Sequence, residues 1–153
     1  MKNMKQHEKL DEALITAWVG LTATLKNTRI TQGMNYNEAI VMLIAYNRYR
    51  EDGEGLVSFK EIVQQTKMLK SLTNRTITSL EKKGLLERCD GEDKRTTFVR
   101  PVKTNLEEFL QVHEQSLGLA QEITKIIGEE DARTFVNIAE RIIAANPLGK
   151  EEI

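Results

Sequence analysis

Leu80-Glu81-Lys82-Lys83-Gly84-Leu85-Leu86-Glu87-Arg88, running into Asp90-Gly91-Glu92-Asp93-Lys94-Arg95, decides the fold. Leu80 supplies a last apolar anchor, Lys82 and Lys83 place cations where the helix dipole favours them, and Gly84 can adopt the left-handed backbone that closes a helix. A helix therefore ends at Gly84. Leu85 to Cys89 and Thr96 to Arg100 then form two short β-prone runs around a turn containing Gly and Asp, the signal of a hairpin. The hairpin has a basic tip and follows the helix directly.

Working back from Gly84, the helix spans roughly residues 70–83 and buries Thr73, Ile77 and Leu80. Lys70, Ser71, Asn74, Arg75 and Thr78 are thereby presented on another face. Ser58 with Glu61 is a capping box that opens the preceding helix, with Phe59, Ile62 and Val63 inward and Gln64 to Lys67 closing it. Leu56-Val57 can make a short strand. Asn35 with Glu38 is a similar box, starting a helix that carries Ala39, Ile40, Leu43, Ile44 and Tyr46 and ends before Glu51-Asp52-Gly53-Glu54-Gly55. Upstream, Leu10, Leu14, Trp18, Leu21 and Leu25 recur at three- and four-residue steps, one stripe along a helix that needs a partner.

Downstream, Pro101 breaks the strand ladder, and Thr104 with Glu107 signals a third box. The long helix that follows carries Leu106, Phe109, Leu110, Leu117, Ala120 and Ile123. Gly128-Glu129-Glu130-Asp131 marks a turn and an acidic helix start, and Phe135, Ile138, Ile142 and Ile143 line a last helix that stops near Asn146-Pro147. Apolar stripes at both ends of a 153-residue chain exceed what its own centre can cover. A symmetric homodimer accounts for them.

The chain is 40% hydrophobic with only four Phe, three Tyr and one Trp, so its apolar content is mainly aliphatic and at helical spacing. A mostly α frame with one small β-hairpin follows. The single cysteine, Cys89, excludes an intramolecular disulfide and agrees with a reducing compartment. With no membrane-length apolar run and no signal-peptide core, a cytoplasmic protein is expected.

The net charge of −1 conceals a division. Residues 60–103 hold 11 Lys and Arg against 6 Asp and Glu, about +5, leaving 11 against 17, about −6, for the rest. A centre attractive to phosphate between acidic arms is the distribution of a DNA reader on a dimer scaffold. His7 and His113 stand far apart without ligand spacing, so no metal site or cofactor is expected. No phosphate loop, catalytic carboxylate pair or nucleophile–histidine pairing points to an enzyme.

The helix order, the short strand, the helix pair from Ser58 to Lys83, the Leu80 to Arg88 run and the Asp93-Lys94-Arg95 tip together resemble the multiple-antibiotic-resistance regulator (MarR) family of bacterial transcription factors. The resemblance covers nearly the whole chain, and its most specific element is the wing tip: Asp, any residue, then Arg, here Asp93 and Arg95. It implies a winged helix-turn-helix lobe (35–103) and N- and C-terminal dimerisation helices (8–32 and 104–147) within a single domain (1–153). The dimer would have intertwined terminal helices and, as in many members, a ligand pocket between scaffold and DNA-binding lobe. Unlike the family pattern, no proline precedes Asp93.

In a major groove, Lys70, Asn74 and Thr78 form one row and Ser71 with Arg75 the next. Arg75 suits guanine and Asn74 adenine, while Lys70, Ser71 and Thr78 suit phosphate. Arg95, beside Lys94 at the wing tip, would enter the adjacent minor groove. By the resemblance, Asp93 orients the wing by fixing Arg95 or Arg75. The expected function is sequence-specific binding to a pseudo-palindromic double-stranded DNA site, as a repressor relieved by a small ligand. A phenolic or other apolar organic molecule is the candidate ligand, with Trp18, Tyr36 and Tyr46 as candidate contacts that also read as core. The competing reading is a winged-helix protein-interaction module that does not bind DNA.

Overall fold

The computed structural model describes residues 2–27, 33–92 and 95–145. They form two compact units, Met1–Ser116 and Leu117–Ile153. In the first unit, α1 (Lys2–Asn27) is followed by α2 (Tyr36–Asp52), β1 (Val57–Ser58), α3 (Phe59–Thr66) and α4 (Lys70–Lys82). The hairpin strands β2 (Leu86–Asp90) and β3 (Thr97–Pro101) come next. A 3-10 turn at Lys103–Asn105 leads into α5 (Leu106–Ile127), which runs across the unit boundary, and α6 (Glu129–Ala145) follows.

Local chemistry explains most element ends. The Asn35 carboxamide oxygen accepts from the Glu38 N–H at 2.8 Å while the Asn35 N–H donates to the Glu38 carboxylate at 3.3 Å, so the expected box opens α2. α2 runs to Asp52, two residues past the expected end, and stops at Gly53 in the left-handed conformation. Ser58 caps α3 as expected by accepting from the Glu61 N–H at 3.0 Å. The second half of that box is absent because the Glu61 carboxylate binds Arg48 at 2.7 and 2.8 Å. Thr104 lies inside the 3-10 turn, and α5 begins at Leu106 instead of at the expected box.

α4 closes as Gly84 predicts. Gly84 has φ +73°, its N–H donates to the Glu81 carbonyl at 2.9 Å, and the Leu85 N–H donates to the Leu80 carbonyl at 3.1 Å. This is a Schellman closure, and its apolar clasp is the buried pair Leu80 and Leu85. Leu85 thereby belongs to the helix end, which moves the first wing strand one residue later than expected. The ladder pairs Leu86 with Pro101 and Asp90 with Thr97, so Pro101 lies within the last rung instead of breaking the ladder before it. A residue without an N–H is tolerated at a strand end.

The sheet is antiparallel in the order β1–β3–β2. Val57, Leu86 and Val99 pack with Ile62, Ile77, Leu80 and Phe109 in one core. α2 crosses this core in contact with α1, α3, α4, β1 and β3. Its buried positions are Glu38 and the apolar Val41, Met42 and Ala45, whereas Leu43, one of the apolar residues read from the sequence, is 47% exposed. A helix packed on several sides has apolar residues around most of its circumference, so periodicity alone misjudges its face.

The terminal helices keep their stripes exposed in the single chain. On α1, Leu14 and Trp18 are 67% and 64% exposed, and on α6, Phe135 and Ile143 are 56% and 74% exposed. The expected stop at Asn146-Pro147 lies outside the described residues. Among the described residues, no helix is long and apolar enough to cross a membrane.

Candidate nucleic-acid interface

α4 is amphipathic in the way its sequence demands. Thr73, Thr76, Ile77 and Leu80 are buried, whereas Lys70, Ser71, Asn74 and Arg75 are exposed and Thr78 is half-buried. The Thr73 hydroxyl donates to the Leu69 carbonyl at 3.0 Å and the Thr76 hydroxyl to the Leu72 carbonyl at 2.8 Å, so both buried hydroxyls are satisfied within the helix. Five of the expected reading residues thus share one helix, four of them fully on its solvent side.

The wing stands beside this helix. The Gly91 N–H donates to the Thr96 carbonyl at 3.0 Å to close the hairpin, and a Cβ at Gly91 would lie 2.5 Å from the Phe98 ring, so the ring occupies the space that glycine leaves. Arg95 is exposed at the tip. Asp93 and Lys94, expected to orient and to contribute to the wing, lie outside the described residues. Glu87 and Arg100 face each other across the ladder, joined at 2.8 Å.

Sequence reasoning missed Arg88. From β2 its guanidinium pairs with Glu81 and donates from Nη2 to both the main-chain carbonyl (3.0 Å) and the side-chain Oδ1 (2.6 Å) of Asn74. It therefore ties the wing to the exposed face of α4. The signal was present as an arginine in the first wing strand and a glutamate in the last turn of the helix, but the pairing depends on the strand's facing.

The three aromatic ligand candidates separate. Trp18 and Tyr36 line one open cleft of about 590 Å³, together with the apolar Ile40, Met68 and Leu72 and the polar Lys26, Asn35 and Asn37. Tyr46 is elsewhere, stacked on His113 with ring centroids 3.4 Å apart and planes 8° from parallel. Burial, with a smaller contribution from the positive charge of Arg50, pushes the His113 pKa below its usual value. Burial likewise pushes the Cys89 thiol up, against the opposing charge of Arg100, which disfavours the reactive thiolate. Among the described residues, no group of three or more His, Cys, Asp or Glu side chains could hold a metal ion.

Two helices joined by a tight turn, the second with a polar outer face, followed by a two-stranded wing cross-linked to it, define a winged helix-turn-helix protein. Residues 33–96, from just before α2 to the wing tip, match the MarR family model, so this segment is similar to that family. The family that this segment matches is one of transcriptional regulators, and the match supports a DNA-binding regulator. No curated protein matches the chain in sequence. Among solved structures it is similar to Sco3205, a MarR family transcriptional regulator from Streptomyces coelicolor in complex with DNA. That likeness has a TM-score of 0.72 at 15% identity over 93% of this chain and 91% of the other. A mutant of MarR from E. coli complexed with operator DNA gives 0.64 at 18% identity, over 86% and 91% of the two chains. NadR in complex with 4-hydroxyphenylacetate gives 0.65 at 17% identity, over 89% and 96%. At these identities the likenesses show the shared fold.

Proposed function

We propose that the chain acts as a homodimer that binds a pseudo-palindromic double-stranded DNA site in the cytoplasm and represses transcription until a small organic ligand releases it. The observation that carries this reading is the outer face of α4, where Lys70, Ser71, Asn74 and Arg75 are exposed while the opposite face is locked into the core. Such a helix can enter a major groove without disturbing its own packing. Arg75 and Asn74 contact bases, Lys70, Ser71 and Thr78 contact phosphate, and Arg95 with Lys94 reaches the neighbouring minor groove, aimed by Asp93. The winged-helix lobe is residues 35–103.

Dimerisation is supported by the exposed apolar stripes of α1 and α6, within the proposed dimerisation segments 8–32 and 104–147. Each Leu- or Ile-sized side chain covered by a second copy contributes roughly 1.5–3 kcal/mol. The ligand site is the cleft beside Trp18 and Tyr36, where apolar walls and Lys26 suit an aromatic molecule carrying a negative charge. NadR, similar in fold, is seen with 4-hydroxyphenylacetate, which has this chemistry. Such a ligand acts by favouring an arrangement in which the two α4 helices depart from the ~34 Å spacing of one duplex turn.

Fluorescence anisotropy with labelled random-sequence duplexes at several salt concentrations tests DNA binding, and sedimentation equilibrium tests the dimer. Affinity should fall steeply and log-linearly with salt. Absent or salt-insensitive binding would overturn the DNA assignment, and a strictly monomeric particle would overturn the dimer.

A further inference from the structure

Arg88 bears on which base Asn74 can read, an inference that rests on α4 being the DNA-reading helix. A carboxamide has an acceptor end and a donor end, and pairing with adenine uses both: Oδ1 accepts from the N6 amino group while Nδ2 donates to N7. In this structure one of the two lone pairs of the acceptor end is already engaged. Arg88 Nη2 donates to Asn74 Oδ1 at 2.6 Å, and the same nitrogen donates to the Asn74 main-chain carbonyl at 3.0 Å. Hydrogen bonds from a guanidinium are stronger than those between neutral groups. Glu81, seven residues further along the same helix, pairs with the other terminal nitrogen, so the guanidinium cannot swing away without losing a second charge-assisted bond.

What Asn74 retains in full for a base is its Nδ2 amino group, a donor, while Oδ1 keeps one lone pair beside a positive charge that disfavours a further donor. We propose that Arg88 is a positioning residue that makes Asn74 read chiefly as a donor, so that the base facing Asn74 is selected for its major-groove acceptors. Guanine, with N7 and O6, fits best, and thymine fits through O4. Adenine fits poorly because its N6 amino group would face another donor.

Selection of bound fragments from a randomised duplex pool, run with the wild type, Asn74→Ala and Arg88→Met, tests this. The position read by Asn74 is the one whose preference is levelled in Asn74→Ala. Guanine or thymine should dominate there in the wild type, and Arg88→Met, which frees Oδ1, should raise adenine on the order of tenfold relative to them. Adenine in the wild type, no position levelled by Asn74→Ala, or an unchanged preference in Arg88→Met that circular dichroism shows to be folded would each overturn the proposal. If Arg88→Met does not fold, the wild type and Asn74→Ala decide it, because Asn74 is exposed and its truncation leaves the core intact. A wild type that binds no duplex even at low salt overturns α4 as a reading helix and this proposal with it, an outcome distinct from DNA bound with adenine at that position.

Discussion

Lys83, just past the end of α4, forms an ion pair with Glu38 in the first turn of α2, and the carboxylate is buried while the ammonium reaches it from the surface. Glu38 also accepts from the Ser79 hydroxyl at 3.3 Å and from the Asn35 N–H at 3.3 Å, and Lys83 donates to the Gly33 carbonyl at 2.6 Å. One carboxylate thus starts α2 and fastens the C-terminal end of the reading helix to it. Asn35 and Tyr36, at the same helix start, line the cleft proposed for a ligand. Movement there is mechanically connected to α4.

Removing one partner of this pair should be costly. Lys83→Met leaves a buried carboxylate with only two neutral donors, and the expected loss is about 3 kcal/mol, the low end for a broken buried pair because Lys83 is itself partly exposed. Adding Glu38→Gln to Lys83→Met should recover most of it, since the amide keeps a side-chain acceptor without the charge. Urea denaturation of the wild type and the two variants measures this. A Lys83→Met cost below roughly 0.5 kcal/mol would place the pair among ordinary surface contacts.

Gly84→Ala tests the helix closure. At φ +73° a Cβ is strained by roughly 1–2 kcal/mol, and it would also lie 2.9 Å from Asn105 Nδ2, which donates to the Gly84 carbonyl at 2.8 Å. The expected destabilisation is about 1–2 kcal/mol by the same denaturation, with a change near zero counting against the closure.

Features with short-range causes were legible in the sequence. The Asn35–Glu38 box and the Gly84 closure depend on residues within one turn, and both occur as read. The Ser58–Glu61 box kept only its local half because Arg48, thirteen residues away in sequence, competes for the carboxylate. The polar face of α4 followed from helical spacing, whereas Arg88 acts on that face from another element, and no local pattern contains the pairing. Tyr46 read chiefly as core and secondarily as a ligand contact, and its stacking on His113 joins α2 to a residue 67 positions further along the chain.

His113 should make stability depend on pH in one direction. Burial lowers its pKa in the folded protein, so as pH falls the unfolded chain takes up the proton first, beginning near the ordinary value of 6.5. The stability contributed above pH 6.5 is lost as pH falls from there to the lower folded pKa and is level below it. His113→Phe, which keeps a ring against Tyr46, should show a smaller drop in stability between pH 7.5 and 5 than the wild type. Equal drops would mean that His113 titrates normally.

Arg75 and Arg95 are both exposed and cationic, yet the proposed roles separate them by assay. Arg95→Ala, at the wing, should weaken binding to all duplexes alike and reduce the log–log salt slope by about one for each phosphate the side chain had neutralised. Arg75→Ala should also relax base preference, by about 1–3 kcal/mol at one position in each half-site, because a bidentate arginine–guanine pairing carries sequence information that a phosphate pairing does not. Anisotropy titrations with a selected duplex and its single-base variants distinguish the two. Uniform weakening by Arg75→Ala across all variants would reassign Arg75 to the backbone, and an unchanged affinity and slope for Arg95→Ala would remove the wing tip from the interface.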